Sequence, residues 1–360
     1  RLHSAGASLD FADNTGSAAL HHACSERGHI AVVDYLLAHG ARSSALRTDG
    51  RSVLHVACGA HTSPAPLLRA VLQAGGTAPS APDNEGVTPL MLCATTGHAK
   101  AVGLLLRFGG TEAVLRVDKG GRNALDHALA GRGDEGVISR LLSAGLEADG
   151  SRMRTAARLG EPAAMRMLAT AATSHAISGC MLEAAKAGHG SIIRVLVNEF
   201  RGDVNERDSD GGGTPLHAAA LAGHLGATSA LLTAGANASL KDEDGLLALH
   251  YVAMIGSQVR FSRQIEIMNA LAHFGGEDPD YWNRGDARGA RPLHYAAAAG
   301  QKNLVHWLVA ERAVADPQAL DHQGNSAADL AEQAKHTALA AWLRRKAKHA
   351  ALRHDRAADL

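Results

Sequence analysis

The sequence predicts an all-α repeat solenoid, a curved array of about ten helix-turn-helix units, in place of one large core. Three observations carry this expectation. A short motif, written TPLHAAALAGH from Thr214, returns along the whole chain. Aromatic residues make up only 3% while glycine reaches 39, which suits small units that stack closely and suits a large aromatic-filled core badly. The 360 residues also exceed what a single compact core usually holds.

The clearest copies are AALHHACSERGH from Ala18, TPLMLCATTGH from Thr88, TPLHAAALAGH from Thr214 and RPLHYAAAAG from Arg291. Weaker ones begin at Ser52, Asn123, Arg152, Cys180, Leu247 and Ser326. The central apolar residues are Leu20, Leu54, Leu90, Leu125, Met153, Met181, Leu216, Leu249, Leu293 and Ala328, spaced by 34, 36, 35, 28, 28, 35, 33, 44 and 35 residues. A fixed period of this length is the signature of stacked supersecondary units.

Each part of the unit has a physical reason. Thr214 is a residue type that caps backbone N–H groups, and Pro215 is tolerated in a first helical turn because its missing donor is no loss there. Ala218, Ala219 and Ala220 allow close approach of neighbouring helices, and Gly223-His224 supplies a stop. A second helix with larger aliphatics follows, as in VVDYLLAHG from Val32 or LVHWLVAERA from Leu304. Such short helices are not stable alone in water, so each must bury its apolar side on a neighbour. Asp-x-x-Gly turns separate the units at Asp13, Asp83, Asp242, Asp286 and Asp321, where Asp and Gly favour tight reversals.

From Asp13 to Arg345 these segments resemble the ankyrin repeat family, whose unit is about 33 residues with a T-P-L-H-x-A opening. The resemblance implies that the Asp-x-x-Gly turns are the tips of short β-hairpin fingers. It also implies binding of other proteins on a concave surface made by the fingers and by the inner-helix residues before the closing Gly-His.

The pattern departs from regularity twice. The repeats marked by Met153 and Met181 are only 28 residues long and lack the Asp-x-x-Gly turn. They are either a degenerate pair still stacked in the array or a joint between two blocks. In the repeat marked by Leu249 the spacing rises to 44, with extra residues at 257–263 and 277–285. Insertions of this kind map to loops, often on a binding side. The expected organisation is therefore the end of a truncated repeat at 1–12, a repeat block at 13–148, the two short repeats at 149–207, a second block at 208–345 whose extended repeat spans 249–292, and a basic helix or tail at 346–360. The start at Arg1, in place of Met, is expected to reflect a piece of a longer protein.

Candidate chemistry is sparse. His21, His55, His217, His250 and His294 follow the motif apolar residue, and His29, His98, His189 and His224 follow the closing glycine. In the ankyrin family both positions are structural, bonding loop and finger backbone. No HExxH or comparable ligand pair is present. Cys24, Cys58 and Cys93 lie at small-residue positions of the inner-helix motif, where cysteine serves as a small hydrophobe, and with Cys180 they form no CxxC pair. A reduced intracellular, mostly cytoplasmic, setting is expected. The glycine runs at Gly109-Gly110 and Gly211 to Gly213 complete no phosphate-binding fingerprint and read as turns. No catalytic residue, metal site or cofactor is expected. Lys+Arg and Asp+Glu are both 36, which lacks the broad cationic footprint of a nucleic-acid binder, and no apolar run is long enough to insert in a membrane. The basic stretch from Trp342 to His354 reads as a polar end cap or as a site for an acidic surface.

The function expected is a protein-interaction scaffold whose main surface lies on residues 209–299. The alternative is a docking arm of a larger enzyme or membrane protein. Aromatic, Met and Arg residues, the types enriched at interfaces, gather there. The binding candidates are Leu221, Tyr251, Met254, Ile255, Arg260, Phe261, Tyr281, Trp282, Arg284 and Arg288. Tyr281 and Trp282 are candidate anchors because they sit in an insertion, yet they equally suit a local core packed over Phe261 and Phe274. The two fingerless repeats remove neighbour contacts, so limited proteolysis is expected to cut first within residues 145–180. Early cuts confined to the two insertions would contradict that expectation.

Overall fold

The computed structural model describes residues 8–25, 29–59, 63–75, 78–131, 134–171, 177–256, 259–275, 279–311 and 314–358. Residues 257, 258, 277 and 278 of the insertions, and 172–176 of the fingerless stretch, lie outside the described residues. Twenty α-helices are present among those described, and they come in pairs. In the first compact unit, Arg1–Ala176, the pairs are α1 (Ala19–Ala23) with α2 (Ile30–Ala38), α3 (Val53–Gly59) with α4 (Ala65–Ala74), α5 (Pro89–Thr95) with α6 (Ala99–Leu115), α7 (Ala124–Ala130) with α8 (Glu135–Ser143), and α9 (Gly150–Leu159) with α10 (Pro162–Ala171). In the second unit, Ile177–Leu360, they are α11 (Cys180–Ala187) with α12 (Gly190–Phe200), α13 (Pro215–Leu221) with α14 (Leu225–Thr233), α15 (Ala248–Met254) with α16 (Phe261–Phe274), α17 (Pro292–Ala298) with α18 (Lys302–His306), and α19 (Ala327–Gln333) with α20 (Thr337–Ala358).

Within each unit the odd-numbered helices pack on one another in chain order, and so do the even-numbered ones from α2 to α10 and from α12 to α18, which is the architecture of a helical repeat solenoid. The buried core is small and aliphatic where the odd helices meet. Ala57, Cys58, Cys93 and Ala94 line one such seam, and Ala219, Ala220, Val252, Ala253, Ala296 and Ala297 another. Leu68, Val71, Leu105, Ile138, Leu231 and Leu271 fill the space behind them. Gly110 interrupts α6 with φ 57°, the turn that its glycine pair suggested.

In two repeats the histidine after the motif apolar residue ties its repeat to the next. Nδ1 of His217 accepts from the Thr214 backbone N–H (3.0 Å) and lies 2.8 Å from the Thr214 hydroxyl, while Nε2 donates to the Leu246 carbonyl of the following finger (3.0 Å). His55 makes the same set with Ser52 and Val87. His21, His250 and His294 also take a backbone N–H on Nδ1, from Ala18, Leu247 and Arg291, while their Nε2 atoms are buried with no hydrogen-bond partner among the described residues. A backbone N–H can only donate, so Nδ1 is bare and the ring is neutral. Thr214 therefore serves its histidine and does not cap the helix, whereas Thr88, which faces Met91 in place of a histidine, does cap it (3.3 Å). Asp126 and Asp329 take over the histidine position in two repeats and accept from Asn123 N and Ser326 N.

Fingers are tight turns with little ladder. Only two isolated bridges, Leu46 to Ser52 and Leu320 to Ser326, occur among the described residues, and each finger instead hydrogen-bonds its successor. Thr48 N donates to Thr15 O, Asn84 N to Asp49 O and Lys119 N to Glu85 O in the first unit; Ala287 N donates to Asp244 O in the second. Gly16, at φ 78°, shows why glycine is needed, because a Cβ there would sit 2.7 Å from the Thr48 backbone nitrogen.

One expectation is revised. Cys58 and Cys93 are buried among small side chains as the motif suggested, but they are not separate thiols; they form a disulfide between α3 and α5, with Cα atoms 4.8 Å apart. The two positions lie 35 residues apart, one repeat period, so stacking brings them together. Cys24 lies buried outside this bond, its thiol pushed up to about 12 by desolvation.

Burial lowers the proton affinity of His21, His55, His217, His250 and His294, with His250 at about 4. The unfolded chain then binds protons that the folded chain refuses. Stability is complete above the ordinary histidine value near 6.5 and is lost as pH falls from there toward 4, by about 3 kcal/mol for His250 alone. Glu206, raised by its own desolvation, acts in the opposite sense as one group against five. A urea midpoint that declines steadily between pH 6.5 and 4.5 is expected, and a flat profile would contradict the histidine account.

Candidate protein-binding surface

The finger aspartates orient the face in question. In most fingers Oδ1 accepts from the backbone N–H groups two and four residues on, as Asp118 does from Gly120 (2.8 Å) and Arg122 (2.9 Å), and Asp286 from Arg288 (2.9 Å) and Ala290 (2.8 Å). Oδ2 then reaches the residue nine positions on, in the inner helix. The partners are His22 for Asp13 (3.0 Å), His127 for Asp118 (3.0 Å), Tyr251 for Asp242 (2.7 Å) and Tyr295 for Asp286 (2.5 Å). Burial alone would raise the Asp118 carboxyl, but the N–H donors, His127 and Arg122 outweigh it and hold it at about 2. Burial and the facing carboxylate push the hydroxyls of Tyr251 and Tyr295 well above the ordinary tyrosine value, so both act as donors. The finger at Asp118 carries its glycine at Gly121 and was not among those singled out by sequence.

These tethers fix the inner-helix residues that face outward. In the second unit the position five after the marker is Lys186, Leu221, Met254, Ala298 and Gln333 on successive helices α11, α13, α15, α17 and α19, so its apolar part lies on α13 to α17. Leu221 is 50% exposed and Met254 is half-buried. The position two after the marker adds Tyr251 and Tyr295, each half-buried with its hydroxyl held on an aspartate. Arg288 stands exposed on the next finger. In the first unit the same five-after positions are Ser25, Gly59, Thr95 and Ala130, so its equivalent row is small or polar.

The remaining candidates divide. Ile255 is buried. Arg260 is exposed and Phe261 half-buried, both at the start of α16 and away from the finger row. Tyr281 and Trp282, expected either as exposed anchors or as a local core, are 1% and 7% exposed and present no surface. They form a short 3-10 turn, Pro279–Asn283, that folds into the seams on either side. The Tyr281 hydroxyl donates to Ala238 O (3.0 Å), and Trp282 meets Trp307 edge to face at 5.7 Å. Asn283 donates to Val314 O (2.8 Å), and Arg284 lies over the Tyr281 ring while its guanidinium donates to the Ser239 hydroxyl (3.1 Å). The insertion is thus a local core. It packs on Ala238 and Trp307 and leaves Phe274 46% exposed, so the cover over Phe274 suggested by sequence is also revised. Among the described residues no group of three or more His, Cys, Asp or Glu side chains is placed to hold a metal ion.

A family model described as Ankyrin repeats (3 copies) matches residues 1–68, 62–152 and 180–261, and the model Ankyrin repeat matches 288–322. The chain belongs to the ankyrin repeat family. A curated relative, the E3 ubiquitin-protein ligase KEG of Arabidopsis thaliana, is 25% identical over 348 residues, which is 80% of this chain and 21% of that protein. The chain therefore spans about a fifth of the length of that relative. No described helix of this ankyrin repeat protein is long and apolar enough to cross a membrane.

With Trp282 and Tyr281 in the core, Trp282→Ala is expected to lower the stability of the second unit by about 3 to 5 kcal/mol. Denaturant unfolding of the full chain checks this, and an unchanged midpoint would return the ring to the list of surface candidates.

Proposed function

We propose that this ankyrin repeat protein is a non-enzymatic protein-interaction scaffold that binds its partner on the inner-helix and finger face of the second unit, centred on Leu221, Tyr251, Met254 and Arg288. The observation that supports the reading is the pair Leu221 and Met254, large apolar side chains on neighbouring inner helices at the position that holds small or polar residues in the first unit, with Tyr251 beside them. A half-exposed leucine contributes nothing to the fold that a polar residue would not, but it gives a partner an apolar area to cover. The tyrosines offer large, rigid contact surface whose hydroxyls are already satisfied, so burying them against a partner leaves no polar group stranded.

A second reading is favoured by the relative. A protein that shares this array within a longer E3 ubiquitin-protein ligase suggests that the chain is the docking arm of a larger enzyme. Both readings use the same face and differ in whether the occupant is a separate protein or another part of the parent chain.

The test is affinity capture by the wild-type array and by a Leu221→Arg, Met254→Arg variant whose circular dichroism and melting match the wild type. Proteins retained by the first and lost by the second, with a drop in affinity of about tenfold or more for a purified one, are expected. Capture of nothing but segments of the parent would select the docking arm. Equal capture by both arrays would remove this face from consideration.

A further inference from the structure

In a regular join of this array the glycine that ends one inner helix is covered by the next repeat. A Cβ on Gly188 would fall 2.8 Å from the His224 ring, and one on Gly300 would fall 2.4 Å from the His336 ring. Each glycine–histidine contact closes the space between neighbouring helix-to-helix loops. The join between the repeats of Leu249 and Leu293 lacks that closure. Nothing lies within 4 Å of the position a Cβ would take on Gly256, and the following repeat has Gln301 where His98, His189 and His224 stand elsewhere.

Gln301 turns inward. Its amide donates to Ala253 O (2.7 Å) and its carbonyl accepts from Gln264 Nε2 (3.0 Å), which also donates to Ile255 O (2.7 Å). The two glutamines satisfy the backbone at the floor but leave the space above it open. The result is a cleft of about 610 Å³ lined by Gly256, by residues 259–261 and by the start of α18, a size ordinary for a ligand site. Arg260 and Lys302 are its only charged lining residues; both are exposed, and neither is in an ion pair among the described residues. Val259 and Phe261 form an apolar wall, and Asn303 adds a polar rim. Of two other clefts among the described residues, one between α2 and α4 combines Arg69 and Lys100 with Asp34, so its cations face a carboxylate of their own, and one between α6 and α8 has a single cation, Arg140.

We propose that this cleft receives an acidic, extended peptide segment of a partner protein. Carboxylates on the segment pair with Arg260 and Lys302, and an apolar side chain between them seats against Val259 and Phe261. The inference rests on the protein-binding reading above and adds to it a second contact, on the loop side of the extended repeat, together with the chemistry of what binds there. It also gives the enlarged helix-to-helix loop a use. The join with the insertion leaves open the space that His224 and His336 close in two other joins, and Arg260 and Phe261 of the insertion, a cation without an ion pair among the described residues and an aromatic ring, stand at the opening.

The probe is a short fluorescein-labelled peptide in which glutamates alternate with leucine and glycine, titrated into the full chain by fluorescence anisotropy. Binding that weakens as salt rises is expected, with a loss of about tenfold in Arg260→Glu, Lys302→Glu and recovery when that variant meets a lysine version of the peptide. Both residues are exposed, and matched melting confirms that the variant is folded. A tail variant, Arg345→Glu, Lys346→Glu, is expected to bind as the wild type does. Equal affinity for a glutamine version of the peptide, an unchanged affinity in the cleft variant, loss in the tail variant, or preference for a single-stranded oligonucleotide would each overturn the proposal. In any of those cases a purified partner still lost on Leu221→Arg, Met254→Arg would leave the protein-binding reading standing, so the two fail separately.

Discussion

Everything in this molecule depends on the contact between one helix pair and the next. Inner helices of five to ten residues are too short to be stable in water, and their second helices offer only one apolar face to cover them. The sequence meets this constraint with alanines and other small residues where inner helices touch, and with aliphatics behind. Small side chains make close approach possible but bring little area each, so polar ties add direction. The imidazole of His217 joins its own helix start to the finger of the next repeat, and finger carboxylates such as Asp118 and Asp286 hold turn and helix together with both oxygens. These groups are buried and matched one to one, which makes them costly to lose and specific in register.

Function occupies what that constraint leaves over. Position five after the marker points away from the seams, so its identity is free to vary without loss of fold. The second unit uses that freedom for Leu221 and Met254, the first for small or polar residues. Tyr251 and Tyr295 illustrate how fold and surface share a side chain, since the hydroxyl completes a finger and the ring face remains beside the row. The cleft at Arg260 and Lys302 has the opposite origin. It exists because one join lacks the glycine–histidine contact, and two glutamines bind the backbone at its floor without filling the volume.

Much of this was legible in the sequence. The period, the helix pairs, the structural histidines and the turns at Asp13, Asp83, Asp242, Asp286 and Asp321 all follow from residue types at fixed offsets. What was hidden depended on contacts between repeats. Cys58 and Cys93 read as two small hydrophobes, and only their common place in consecutive inner helices brings them into a disulfide. Tyr281 and Trp282 read equally as anchors or core, because an insertion has no register from which to infer direction; the structure turns them toward Ala238 and Trp307. Gln301 stands where other repeats carry a histidine, and the consequence is visible only across the join, where Gly256 is left uncovered.

If stability lies between repeats and not within them, a single helix pair has almost none of its own. The most direct test is far-ultraviolet circular dichroism of a synthetic peptide spanning residues 208–237, which contains α13 and α14 with their finger and both capping turns. The account predicts a largely unfolded peptide at neutral pH and room temperature. A spectrum showing the helix content that these residues have in the full chain would contradict it.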